Sequence, residues 1–172
     1  PFEEFLSEIR AAGCDAKIAS GGGRMKITMD RYNANWAMVE AGWKVHVHGE
    51  GKMFASAHEA VTELRKATGA IDQDLDAFVI SEDGKTPVGA MKDNDSVIFY
   101  NFRGDRSLEI TAAFEQDEFP YFDRGVRPNV MYAGMMEYDG DLHAPKNYLV
   151  SPPEIDRTLG EYLAVSKVKQ LA

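Results

Sequence analysis

Apolar positions recur at helical spacing from the start of the chain. Phe2, Phe5, Leu6 and Ile9 share one face, and Gly13 follows as a stop, which predicts an amphipathic helix over about residues 2–12. Residues 16–19 then read as a short strand, 20–24 as a glycine-rich turn and 26–29 as an extended segment. Trp36, Val39, Glu40 and Trp43 restore the helical period from Asn33 to about Val47, where Gly49-Glu50-Gly51 ends it. Ser56, three residues before Glu59, is a capping-box signature for a helix over 57–68, with Gly69 closing it. A strand over 77–80, a turn at Glu82-Asp83-Gly84-Lys85 and a returning strand over 88–91 read as a hairpin.

Residues 97–102 are the strongest core-strand candidate, aromatics included. A helix from Leu108, a strand over 130–136, polar loops to Pro153, a helix over 158–165 and a strand over 168–171 complete the pattern. The alternation predicts an α/β fold: a sheet flanked by helices, with a small hairpin.

The chain has 172 residues, 44% hydrophobic and 27% charged, a size and composition suited to one domain. No apolar run approaches the ~20 residues of a membrane span, and the acidic start, Pro1-Phe2-Glu3-Glu4, is unlike a signal peptide. The single cysteine, Cys14, excludes an internal disulfide, suits a reducing compartment and reads as structural. A net charge of −9 argues against nucleic acid and anionic membranes as partners. It also makes any local cluster of arginines informative, because an acidic protein that gathers Arg at glycine-flanked turns is equipped to hold a small anion.

Three such places stand out. Arg24 ends Ser20-Gly21-Gly22-Gly23, where exposed backbone N–H groups and a planar guanidinium can meet an oxyanion. The spacing fits neither a Walker loop nor a dinucleotide fingerprint, and the alternative is a flexible turn with a solvated arginine. Arg31 follows Asp30, which can orient the guanidinium; the alternative is a surface ion pair. Arg103 and Arg106 flank Gly104-Asp105 at the end of the core strand, where α/β sheets collect ligands. There the alternative is a capping turn, with Asp105 at the start of the next helix. His46 and His48 lack further ligands and read as a solvated pair, and Asp72 to Asp76 reads as a solvated loop because it lacks the glycine and glutamate of a calcium loop.

In this order, Ser20-Gly-Gly-Gly-Arg24, Thr28-Met-Asp-Arg31-Tyr32 with Trp36, Asp95 through Arg106, and Tyr132-Ala-Gly-Met-Met-Glu-Tyr-Asp139 closely resemble the phosphotransferase domain of cofactor-independent (2,3-bisphosphoglycerate-independent) phosphoglycerate mutases. The stretch from Tyr148 to Ile155 resembles the plant and trypanosomatid branch. The resemblance implies a two-domain enzyme of the alkaline phosphatase superfamily that interconverts 3-phosphoglycerate and 2-phosphoglycerate in glycolysis and gluconeogenesis. It implies that Arg24, Arg31, Arg103 and Arg106 bind substrate. It further implies a serine nucleophile and two divalent, manganese-type metal ions in a phosphatase domain outside these residues, with no catalytic or metal-ligating residue inside them. By the same resemblance the protein is a cytoplasmic monomer, residues 1–172 are a partial transferase domain, and the segment alone is inactive. The competing expectations are a non-catalytic anion-binding module that kept the arginines, and a related phosphopentomutase or phosphatase.

Overall fold

The computed structural model describes residues 2–151 and 155–171. The fold is α/β, with two three-stranded sheets and helices packed against them. Helix α1 spans Phe2–Ala11 and buries only Leu6, so most of its predicted apolar face is open. Strand β1 is Ser20–Gly21, helix α2 Trp36–His46, strand β2 Lys52–Phe54, helix α3 Ala57–Thr68 and strand β3 Phe78–Ile80. In the first sheet β3 is central, antiparallel to β1 and parallel to β2.

The second sheet contains β4 (Ser96–Phe99), β5 (Met131–Met136) and β6 (Tyr148–Val150), all parallel and in that order. Helix α4, Leu108–Glu115, lies between β4 and β5 in the chain, and α5, Leu159–Val165, follows β6 and buries nothing.

Each helix forms for a local reason. At α3, the Ser56 hydroxyl accepts the Glu59 N–H while the Glu59 carboxylate accepts the Ala55 N–H, and Gly69 closes the far end at φ 66°. Ala60 and Leu64 of α3 join Phe54, Leu75, Phe78 and Ile80 in one core. Asn35 caps α2 by accepting the Met38 N–H. Val39, Trp43 and Val47 pack on Ile110 and Ala113 of α4 in a second core. Helix α2 touches β1 and β3 as well as α4, so it joins the two halves of the fold.

Several expectations are corrected. The first strand lies at Ser20–Gly21, inside the expected turn, and 16–19 is coil. Residues 26–29 turn instead of extending: the Gly23 carbonyl accepts the N–H groups of Lys26 and Ile27, and Thr28, at φ 67°, donates to Met38 of α2. The chain does turn back after β3, but 88–91 form no strand, because Val88 donates to Ile80 and Met91 to Val47 in separate single bonds. Strand β4 ends at Phe99, leaving Tyr100 and Phe102 on the surface instead of in a core. Strand β2 occupies a segment given no element, β6 one read as loop, and 168–171 is coil beside α5. Cys14 is free and exposed, not structural. The Tyr148-to-Ile155 stretch lies partly outside the described residues.

Candidate functional site

The carboxyl end of β4 leads through residues 100–103 into a 3-10 turn, Gly104–Arg106, and then into α4. Gly104 is required there, since a Cβ would sit 2.6 Å from the Tyr138 carbonyl oxygen. The turn does not use Asp105 as a helix cap. Instead the Asp105 carboxylate accepts Arg103 Nε at 3.1 Å and Nη2 at 2.9 Å, and the same Oδ2 accepts Arg31 Nη1 at 3.4 Å. The Arg103 guanidinium, with Arg31 beyond it, holds the Asp105 carboxyl below the usual carboxylate range. Arg31 also lies over the Tyr32 ring, 5.3 Å from its centroid.

Arg106 reaches back across the fold, and its Nη1 donates to the Met29 carbonyl. Its Nε is buried and has no protein partner. A buried guanidinium N–H left unpaired is costly unless something else accepts it. Three of the four expected arginines are therefore brought together from two loops distant in sequence: Asp105 tethers Arg31 and Arg103, and Arg106 is held by the Met29 carbonyl two residues before Arg31.

Arg24 stands apart from Asp105. Its Nη2 donates to Gln73 at 3.2 Å. Gly23 packs so closely that a Cβ would lie 2.4 Å from the Gln73 carbonyl oxygen. Arg24 lines a cavity of about 390 Å³ together with Thr28 and Met29, and Met29 is the residue whose carbonyl holds Arg106. The buried Thr28 Oγ1 in this cavity also lacks a hydrogen bond.

Asp30 does not orient Arg31, nor is it half of a surface pair. It is buried and accepts the Asn35 N–H. Beside it on α4 lies Glu109, also buried, whose Oε1 accepts the Asn33 N–H at 2.8 Å. Burial, reinforced by Asp30, pushes the Glu109 carboxyl up to about 7. Sequence reasoning missed Glu109, and its one available signal was a glutamate among the apolar positions of a helix.

His46 and His48 are not solvated. His46 Nδ1 meets Ser20 Oγ at 2.8 Å, and burial lowers the His46 pKa. His48 Nε2 accepts the Trp43 indole N–H at 3.1 Å. Asp72 pairs with Arg65, and Asp76 with Lys26. Among the described residues no three His, Cys, Asp or Glu side chains are grouped to hold a metal ion. None of the helices there is long and apolar enough to cross a membrane.

Comparison with known proteins decides the family. The sequence model for the N-terminus of BPG-independent PGAM, iPGM_N, matches residues 2–140. The chain belongs to this family. A probable 2,3-bisphosphoglycerate-independent phosphoglycerate mutase of Leptospira interrogans is 60% identical over 173 residues, covering 100% of this chain and 31% of that protein. The 2,3-bisphosphoglycerate-independent phosphoglycerate mutase of Trypanosoma brucei brucei is 54% identical over 94% of this chain and 29% of its own length. That of Prunus dulcis is 48% identical over 99% of this chain and 35% of its own length. The crystal structure of Leishmania mexicana phosphoglycerate mutase at low cobalt concentration superposes with a TM-score of 0.88 at 48% identity, over 96% of this chain and 30% of that one. This iPGM_N chain thus spans about a third of the length of the curated relatives it matches.

Proposed function

We propose that this chain is the substrate-holding part of a 2,3-bisphosphoglycerate-independent phosphoglycerate mutase, which interconverts 3-phosphoglycerate and 2-phosphoglycerate. The convergence of Arg31, Arg103 and Arg106 carries the reading, because Asp105 tethers two guanidiniums side by side while Arg106 keeps a buried N–H without a partner. Planar guanidiniums fixed in advance suit phosphate and carboxylate oxygens, and fixing them before binding lowers the ordering cost. Arg24 supplies a fourth contact from across the Met29 segment.

In this reading the arginines keep glycerate in place while its phosphoryl group leaves one hydroxyl and returns to the other. Positioning and charge neutralisation are the large contributions to such chemistry. Residues 1–172 form part of a transferase domain of a cytoplasmic monomer. In this reading the serine nucleophile and two manganese-type metal ions belong to a phosphatase domain beyond them.

The test is a steady-state assay of the full-length protein converting 3-phosphoglycerate to 2-phosphoglycerate. Wild type turns over, and Arg103→Ala or Arg106→Ala each lowers kcat/KM about tenfold or more, as expected for losing a charge-assisted hydrogen bond. Wild-type kcat/KM in either variant would remove the site assignment. A full-length protein that binds 3-phosphoglycerate without converting it would support the anion-binding module instead.

A further inference from the structure

The loop that presents Arg31 is held in an unusual shape. Thr28, Tyr32 and Asn33 all have positive φ, at 67°, 61° and 55°, conformations that side-chain-bearing residues keep only where their surroundings impose them. Two buried carboxyls supply that constraint. Asp30 is 7% exposed and takes the Asn35 N–H at the cap of α2, whereas Glu109 is 5% exposed and takes the Asn33 N–H from α4. The second Glu109 oxygen is buried and has no hydrogen-bond partner. Asp30 is a neighbouring carboxyl that adds to the rise that burial imposes on Glu109. A buried carboxyl oxygen with no donor facing it, beside a second carboxyl, is satisfied only when it carries a proton of its own, since two carboxylates are both acceptors.

We propose that Glu109 is a positioning residue for the arginine site: its protonated carboxyl donates to Asp30 and accepts from Asn33, clamping the Arg31 loop between α2 and α4. The inference rests on the reading that Arg31 binds substrate. The site's cations do not neutralise the pair. Arg31 and Arg103 are bound to Asp105, and Arg106 to the Met29 carbonyl. The cavity that Glu109 lines adds Asp105, Glu115, Asp117 and Glu118, with His143 and Lys146 as its basic groups.

The pH direction follows from the proton. Glu109 is raised from 4.5 to about 7, so the clamp is complete on the acid side and is lost as pH rises through about 7. Above that, two buried like charges face each other and the loop loosens.

The experiment measures KM and kcat for 3-phosphoglycerate with the full-length enzyme from about pH 6 to about pH 8.5, across the titration expected for a raised carboxyl. Glu109→Gln can donate to Asp30 and accept from Asn33 at every pH. The ratio of wild-type to Glu109→Gln KM therefore rises about tenfold across the range, with kcat changing less. Taking the ratio cancels the substrate's own titration. Glu109→Ala raises KM at every pH, and if it fails to fold, the Gln ratio still decides. A flat ratio overturns the proposal. In an Arg31→Ala arm, raised KM with a flat ratio sinks only the Glu109 clamp, whereas unchanged KM removes the site reading and the clamp with it.

Discussion

At the scale of single residues, the arginines were legible because each sits at a glycine or aspartate turn in an acidic chain. Their partners were not, because those partnerships span the fold: Arg31 meets Asp105 74 residues on, and Asn33 meets Glu109 76 residues on. Adjacency in sequence suggested Asp30 for Arg31, yet the peptide at Asp30 turns its carboxylate inward to Asn35. In the proposed site, Asp105 is the residue that orders Arg31 and Arg103 before substrate arrives. The side chains of the pair it forms with Arg103 are 24% and 46% exposed, so the pair itself adds little stability. Asp105→Ala should therefore leave the thermal midpoint nearly unchanged. It should raise KM for 3-phosphoglycerate several-fold, because Arg31 and Arg103 then sample more rotamers before binding. Kinetics and calorimetry on the same preparation separate the two effects; a large fall in midpoint with unchanged KM would show Asp105 to be a structural residue instead.

Among elements, α3 was readable almost to the residue, because its signals are local: a Ser56–Glu59 capping box and a terminal glycine. Strands β1, β2 and β6 were not, because two or three residues carry no periodicity and exist only through their neighbours β3 and β5. The same contrast separates two kinds of damage. Ser56→Ala removes a cap far from the arginines and should cost about 1 kcal/mol, with KM unchanged. Gly42→Ala acts differently. A Cβ on that buried face of α2 would meet Thr28 Oγ1 at 2.1 Å and Thr28 N at 2.8 Å. Helix and loop must part, at a cost of about 1–3 kcal/mol. The displaced neighbour, Met29, carries the carbonyl that holds Arg106. Gly42→Ala should thus lower stability in chemical denaturation and raise KM together. A variant that loses stability but keeps KM would mean that the α2 contact does not set the arginine geometry.

For the molecule as a whole, the α/β class followed from alternating patterns, but the division into two sheets did not, because nothing in a hydrophobic run says which strand it pairs with. Two electrostatic effects of opposite sign now compete. The chain carries a net charge of −9, which repels a phosphoglycerate anion at long range. On the proposed reading the arginine cluster attracts it at contact. Salt distinguishes them, since the screening length falls from about 30 Å at 0.01 M to about 8 Å at 0.15 M. If diffuse repulsion governed binding, added salt would lower KM. With Arg31 and Arg103 about half exposed beside Asp105, the local attraction is itself open to screening. The contact term is larger, because it acts over bond distances, and KM for 3-phosphoglycerate should rise as salt increases. Arg106→Ala makes the test specific to this site: with one guanidinium removed, its KM should climb less steeply than that of wild type. Equal slopes would place the salt-sensitive contact on residues other than Arg106.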